Sequence, residues 1–136
     1  MLIRVCKSKI HRATVTCANL DYVGSITIDQ ALIDASDLQP SQYVNITNVS
    51  NGAFWQTYVM AAPRGSGRIE LNGPPARHFQ PGDKVIILGE AYGEPSEVKD
   101  LDPKIVIVEG DDATPDLAER NRRFRLLKHS EVRNPG

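Results

Sequence analysis

A chain of 136 residues, 40% of them apolar, fits one compact domain and leaves little room for a second core. Sixteen basic residues against 17 acidic ones give a formal charge of -1, which offers no global field for nucleic acid or an anionic membrane. The two cysteines, Cys6 and Cys17, are too few for a disulfide framework, and the start from Met1 to Lys9 lacks the apolar stretch of a signal peptide, so a soluble, cytoplasmic protein is expected.

In chain order, the apolar pattern is short and β-like: 2–6, 13–17, 25–28, 43–49, 54–61, 68–71, 85–88 and 105–108. About eight short strands separated by turn-formers predict a mainly β barrel or sandwich. Asn51-Gly52 between two β-rich runs is the strongest hairpin signal, and Pro63 to Gly67, Asn72 to Pro75 and Pro81 to Asp83 mark further turns. One helix is predicted from Asp29 to Asp37, where Ala31, Leu32, Ala35 and Leu38 fall near one face and Pro40 follows as a stop. A second short turn is predicted from Pro75 to Phe79, since proline is tolerated in the first turn of a helix. From Gly110 the composition turns polar, and the basic run Glu119 to Lys128 reads as a solvated tail over 110–136, outside a core domain of residues 1–109.

The ordinary catalytic sets give little. His11, His78 and His129 have no Cys or carboxylate at metal-ligand spacing, so no metal is expected. Gly65-Ser66-Gly67 lacks the Gly-Lys-Ser/Thr of a phosphate loop and reads as a turn. Gly24-Ser25 lies between β-like flanks, where glycine can hold dihedrals closed to other residues. A serine hydroxyl set against the preceding carbonyl could attack it. The ester so formed could eliminate to dehydroalanine and hydrolyse to a pyruvoyl group. On the dipeptide alone a plain Gly-Ser turn is by far the better reading.

The order and spacing of several segments go further. Lys9-x-His11-Arg12, Tyr22-x-Gly24-Ser25, Ile28-Asp29-Gln30, Asn48-Val-x-Asn51-Gly52, Thr57-Tyr58, Arg64-Gly-Ser66, Asn72-Gly73 and Gly82-Asp83 before Val85-Ile-Ile87 together resemble the aspartate 1-decarboxylase family over residues 1–109. The resemblance implies a double-psi β-barrel with one or two short helices, assembled as a homotetramer, and a small-molecule amino-acid substrate. It implies cleavage between Gly24 and Ser25, with or without a maturation factor, into a small chain of residues 1–24 and a large chain headed by a pyruvoyl cofactor made from Ser25. Tyr58 matches the proton donor to the carbanion, and Thr57 the hydroxyl that assists the acyl shift. Tyr22, Asn72 and Gly73 match pocket residues, and Lys9 and His11 a cationic wall.

Two positions depart from the family pattern. Phe54 stands where the family usually has an arginine that clamps a substrate carboxylate, and Pro74-Pro75 stand where alanines are common. A phenyl ring cannot replace a guanidinium fork, and the lost charge-assisted pair is worth roughly 1.5–3 kcal/mol of binding. The implied activity is decarboxylation of L-aspartate to β-alanine for pantothenate and coenzyme A synthesis. The alternatives are a pyruvoyl decarboxylase of a less acidic amino acid, with Phe54 lining its pocket, and an unprocessed barrel that only binds.

Overall fold

The computed structural model describes residues 1–132 and places nine strands in one mixed sheet. They are β1 (Ile3–Thr14), β2 (Cys17–Asn19), β3 (Ser25–Asp29), β4 (Tyr43–Asn48), β5 (Phe54–Ala62), β6 (Ile69–Asn72), β7 (Lys84–Gly93), β8 (Lys104–Val108) and β9 (Phe124–Lys128). Their order across the sheet is β2-β6-β3-β5-β4-β7-β1-β8-β9. Strands β3 and β5, β1 and β8, and β2 and β6 run parallel, while the remaining neighbours are antiparallel.

Alternation explains why this sheet rolls up. Ile26 and Ile28 of β3, Val44 and Ile46 of β4, Val59 of β5, Ile69 and Leu71 of β6, Val85 and Ile87 of β7, Ile10 of β1 and Val106 of β8 are all buried in one core cluster. Side chains two apart share a face, so strands from both halves of the sheet turn the same face inward. Each fully buried isoleucine or valine is worth roughly 1.5–3 kcal/mol over exposure, which sets the sense of each strand that carries one. The chain is thus mainly β, and its rolled mixed sheet agrees with the expected double-psi barrel.

Most predicted elements are found, with instructive shifts. The run 2–6, from Ile3 onward, and the first two residues of 13–17 belong to one long strand, β1, whose pairing with β7 slips between Cys6 and Ser8 and again between His11 and Ala13, while Cys17 opens β2. Bulges of this kind break the period of two that the sequence displays. The helix α1 (Gln30–Ser36) is capped by the Asp29 carboxylate, which accepts from Ala31 N–H at 2.8 Å, and ends at Asp37 in the left-handed region. Its buried face carries Leu32, Ile33 and Ser36. Proline opens a 3-10 turn over Pro74–His78, one residue earlier than expected. The Asn51-Gly52 turn joins β4 to β5, with Gly52 at φ 72. A short helix α2 (Pro95–Val98) was not foreseen.

The segment after Gly110 is polar, yet from Leu117 to Lys128 it is docked on the sheet. Helix α3 (Leu117–Asn121) buries Asn121 completely, and β9 pairs with β8. Asn121 Oδ1 accepts from Thr14 N–H at 2.8 Å, while its Nδ2 donates to Thr14 O at 2.8 Å and Gly67 O at 2.9 Å. Polar groups that find partners inside the fold cost little to bury, so polarity alone does not mark this segment as solvated. The part of the expected tail beyond Val132 lies outside the described residues. Among the described residues no helix is long and apolar enough to cross a membrane, and no cluster of His, Cys, Asp and Glu is placed to hold a metal.

Candidate active site

Strand β3 begins at Ser25, flanked by β6 on one side and β5 on the other. Ile26 and Ile28 point into the core, so Ser25 and Thr27 share the opposite face. Asn72 is the direct antiparallel partner of Ser25. Its Nδ2 donates to Ser25 Oγ at 3.0 Å and to Thr27 Oγ1 at 3.1 Å. Ser25 and Asn72 are 2% and 6% exposed, so this contact is largely shut off from water. In that setting a hydrogen bond is electrostatically stronger than in bulk solvent.

The peptide before Ser25 is held in an uncommon conformation. Gly24 sits at φ 25 and its N–H donates to Tyr22 O at 3.1 Å, while Gly73 N–H donates to Asn19 O at 2.7 Å. Gly73 itself is at φ 112, and a Cβ there would lie 2.8 Å from Gly24 Cα. Glycine at 73 lets the two backbones touch where a side chain would push them apart, while at 24 it is the positive φ that favours glycine. The residue 24–25 peptide is therefore gripped from β6 and its following turn.

Strand β5 supplies the next groups. Ile26 pairs with Val59, and continuing that parallel register upstream sets Gly24 level with Thr57 and Ser25 level with Tyr58. Thr57 is buried on the inner face with Val59, whereas Tyr58 shares the outer face with Ser25 and packs against Tyr43 at 6.0 Å between ring centroids. Tyr22 is largely exposed in the turn before Gly24.

Lys9 and His11 come from β1, with three strands between it and β3. They occupy the same outer face, because Lys9 pairs with Leu88, Leu88 with Asn45 and Asn45 with Gln56. The adjacent row runs His11, Ile86, Thr47 and Phe54. One chain thus brings Ser25, Thr27, Asn72, Gly73, Gly24 and Tyr58 together, and sets Lys9, His11 and Phe54 elsewhere on that face. Lys9 also lines a cavity of about 280 Å³ with Val5, Cys6 and His129. Burial, then the charges of Arg12 and Lys9, push the His11 imidazole below its usual pKa of 6.5. Thr27 is the residue that the motif reading passed over. Its signal was available, since it stands two residues after Ser25 in a strand and must share its face.

The fold and this face define a mainly β protein with a water-shielded serine hydroxyl, amide-held, directly after a glycine in the left-handed region. The chain belongs to the aspartate decarboxylase family, whose pattern matches residues 1–114. It is 54% identical to an aspartate 1-decarboxylase of Carboxydothermus hydrogenoformans over 109 residues, covering 80% of this chain and 86% of that one. It is 50% identical to those of Lactiplantibacillus plantarum, over 95% of each chain, and Acetivibrio thermocellus, over 97% of this chain and 100% of that one.

Proposed function

We propose that this chain is a self-processing, pyruvoyl-dependent decarboxylase converting L-aspartate to β-alanine and carbon dioxide, a carboxy-lyase step of pantothenate synthesis. Family membership and the activity named for its relatives support the substrate and reaction. The observation that carries the chemistry is the buried Ser25 hydroxyl, which accepts from Asn72 Nδ2 at 3.0 Å immediately after the left-handed Gly24.

In maturation, Ser25 Oγ attacks the Gly24 carbonyl carbon. A C–O bond forms, the C–N bond breaks, and the hydroxyl proton ends on the amide nitrogen, leaving an ester. Loss of the residue 25 Cα proton with breaking of the Cβ–Oγ bond releases Gly24 as a carboxylate and leaves dehydroalanine. Its hydrolysis gives ammonia and the pyruvoyl group at the head of the large chain, with residues 1–24 as the small chain. Thr57, a buried residue level with Gly24 in the parallel register, assists the acyl shift through its hydroxyl.

The surroundings fit the group. An Asn72 N–H that serves a hydroxyl serves a ketone oxygen equally, and the glycine at 73 keeps the cradle open. When formed, the pyruvoyl group supplies an electrophilic carbonyl and a sink for the electron pair released with carbon dioxide. Tyr58, on the same face as residue 25, returns the proton to carbon. Lys9 pairs with a substrate carboxylate, His11 stands beside it as neutral imidazole, and Tyr22 and Phe54 close the edges of the pocket.

Lys9 and Ser25 lie apart on one outer face that also exposes Tyr43, Phe54, Met60 and Tyr92. Apolar surface of that extent is covered in an assembly, and a second copy laid on it brings one chain's Lys9 to another's Ser25. A homotetramer is the proposed state. The cytoplasm is the proposed compartment, in keeping with two free thiols at Cys6 and Cys17.

The test is the denatured mass of the purified protein together with carbon dioxide release from aspartate and from uncharged amino acids. Two chains joined at residues 24 and 25, the larger bearing a pyruvoyl mass, and turnover of aspartate are expected. Ser25→Ala should stay whole and release no carbon dioxide. Cutting in that variant would overturn the nucleophile, and turnover of an uncharged amino acid alone would overturn the substrate. Cutting only beside a co-expressed maturation factor would add that partner.

A further inference from the structure

We infer that Thr27 is a positioning residue for both the self-cleavage and the decarboxylation, acting through the carboxamide of Asn72. The inference rests on the cleavage reading above and adds to it a residue and a mechanism. Ser25 and Thr27 stand on the same face of β3, and Asn72 reaches across from β6 to lie between their hydroxyls. A single nitrogen, Nδ2, serves both, at 3.0 Å to Ser25 Oγ and 3.1 Å to Thr27 Oγ1. An amide nitrogen carries two hydrogens, so both are committed and the carboxamide plane is fixed at two points. The Asn72 oxygen is thereby turned away from Ser25.

That orientation matters because the two ends of a carboxamide have opposite effects on a reacting hydroxyl. With Nδ2 facing it, Ser25 Oγ accepts a hydrogen bond that strengthens as the oxygen loses its proton and gains negative charge. With the amide turned over, the oxygen would face Ser25, capture its O–H as an acceptor and oppose that charge. Without the Thr27 hydroxyl, one of the two anchors of the productive orientation is lost. After conversion the same N–H faces the residue 25 ketone, so the anchor bears on both steps. Substrate binding by Lys9 on β1 is untouched by it.

Thr27→Val suits the test, since it removes only the hydroxyl and keeps a β-branched side chain at a half-buried strand position. Freshly refolded or translated protein is followed by intact mass for the cleavage half-time, and fully matured protein for kcat and KM with aspartate. The expected result is cleavage and kcat each slower by roughly 2- to 10-fold, as loss of one ordinary hydrogen bond predicts, with KM and melting temperature unchanged. Thr27→Ser, which restores the hydroxyl, should return both rates. Thr27→Ala carries the same comparison if valine lowers the melting temperature. Wild-type rates in the valine and alanine variants would overturn the assignment while leaving the cleavage reading intact. A wild-type chain that never cuts would overturn both.

Discussion

At Asp29 one carboxylate organises three backbone segments. It caps α1 through Ala31 N–H and accepts from Gly65 N–H at 3.0 Å and Gly67 N–H at 2.8 Å, all while 2% exposed. The sequence placed Asp29 at the start of a helix, and its use as the cap appeared only in the structure. It could not suggest the two glycine donors, which come from more than thirty residues away. His11 shows the same division. The family resemblance singled it out, but its depressed pKa comes first from burial in the folded chain, then from Arg12 and Lys9. A base held below its unfolded pKa binds fewer protons when folded, so stability is full above about 6.5 and falls as pH drops through that value. His11→Gln should flatten this acid limb, measured as the urea midpoint between roughly pH 7 and pH 5. An unchanged slope would mean that His11 meets no penalty in the fold.

Among the elements, the strands and α1 were readable because each carries its own signal: alternation, turn residues at the ends, a helical period with a proline stop. The long β1 was not read as one strand, since its bulges, with Arg12 at φ 65, shift the inward face partway along. The hairpin from β4 to β5 was read from Asn51-Gly52 alone, which needs only local chemistry. Helix α3 and β9 are the opposite case. Their charged sequence signals a solvated tail, and what docks them is long-range: Asn121 bonded to Thr14 and Gly67, Arg122 donating to Gly65 O at 2.7 Å, and Lys84 paired with Asp112 at 2.5 Å. Asn121→Ala leaves a buried N–H and two carbonyls without their partner, which should cost about 2–4 kcal/mol. Chemical denaturation would read that loss, and a change below about 0.5 kcal/mol would show that water replaces the side chain.

For the whole molecule, the outer face of β5, β4, β7 and β1 is the consequential surface. It holds Tyr58, Phe54, Lys9 and His11, and leaves Tyr43 and Tyr92 63% and 67% exposed. Native mass spectrometry should find four copies, and Tyr92→Asp should split them into smaller species with a matching loss of decarboxylation. A monomer that turns over aspartate at full rate would remove the need for a shared site. The sequence by itself determined the strand-rich class, the hairpin, the first helix and the Gly24-Ser25 motif, because each depends on neighbours within a few residues. Only the tertiary structure decided that Thr27 and Asn72 meet at Ser25, that three strands lie between β3 and the strand of Lys9, and that a polar C-terminal segment belongs to the fold. Those outcomes depend on strand register and long-range pairing, which no local pattern encodes.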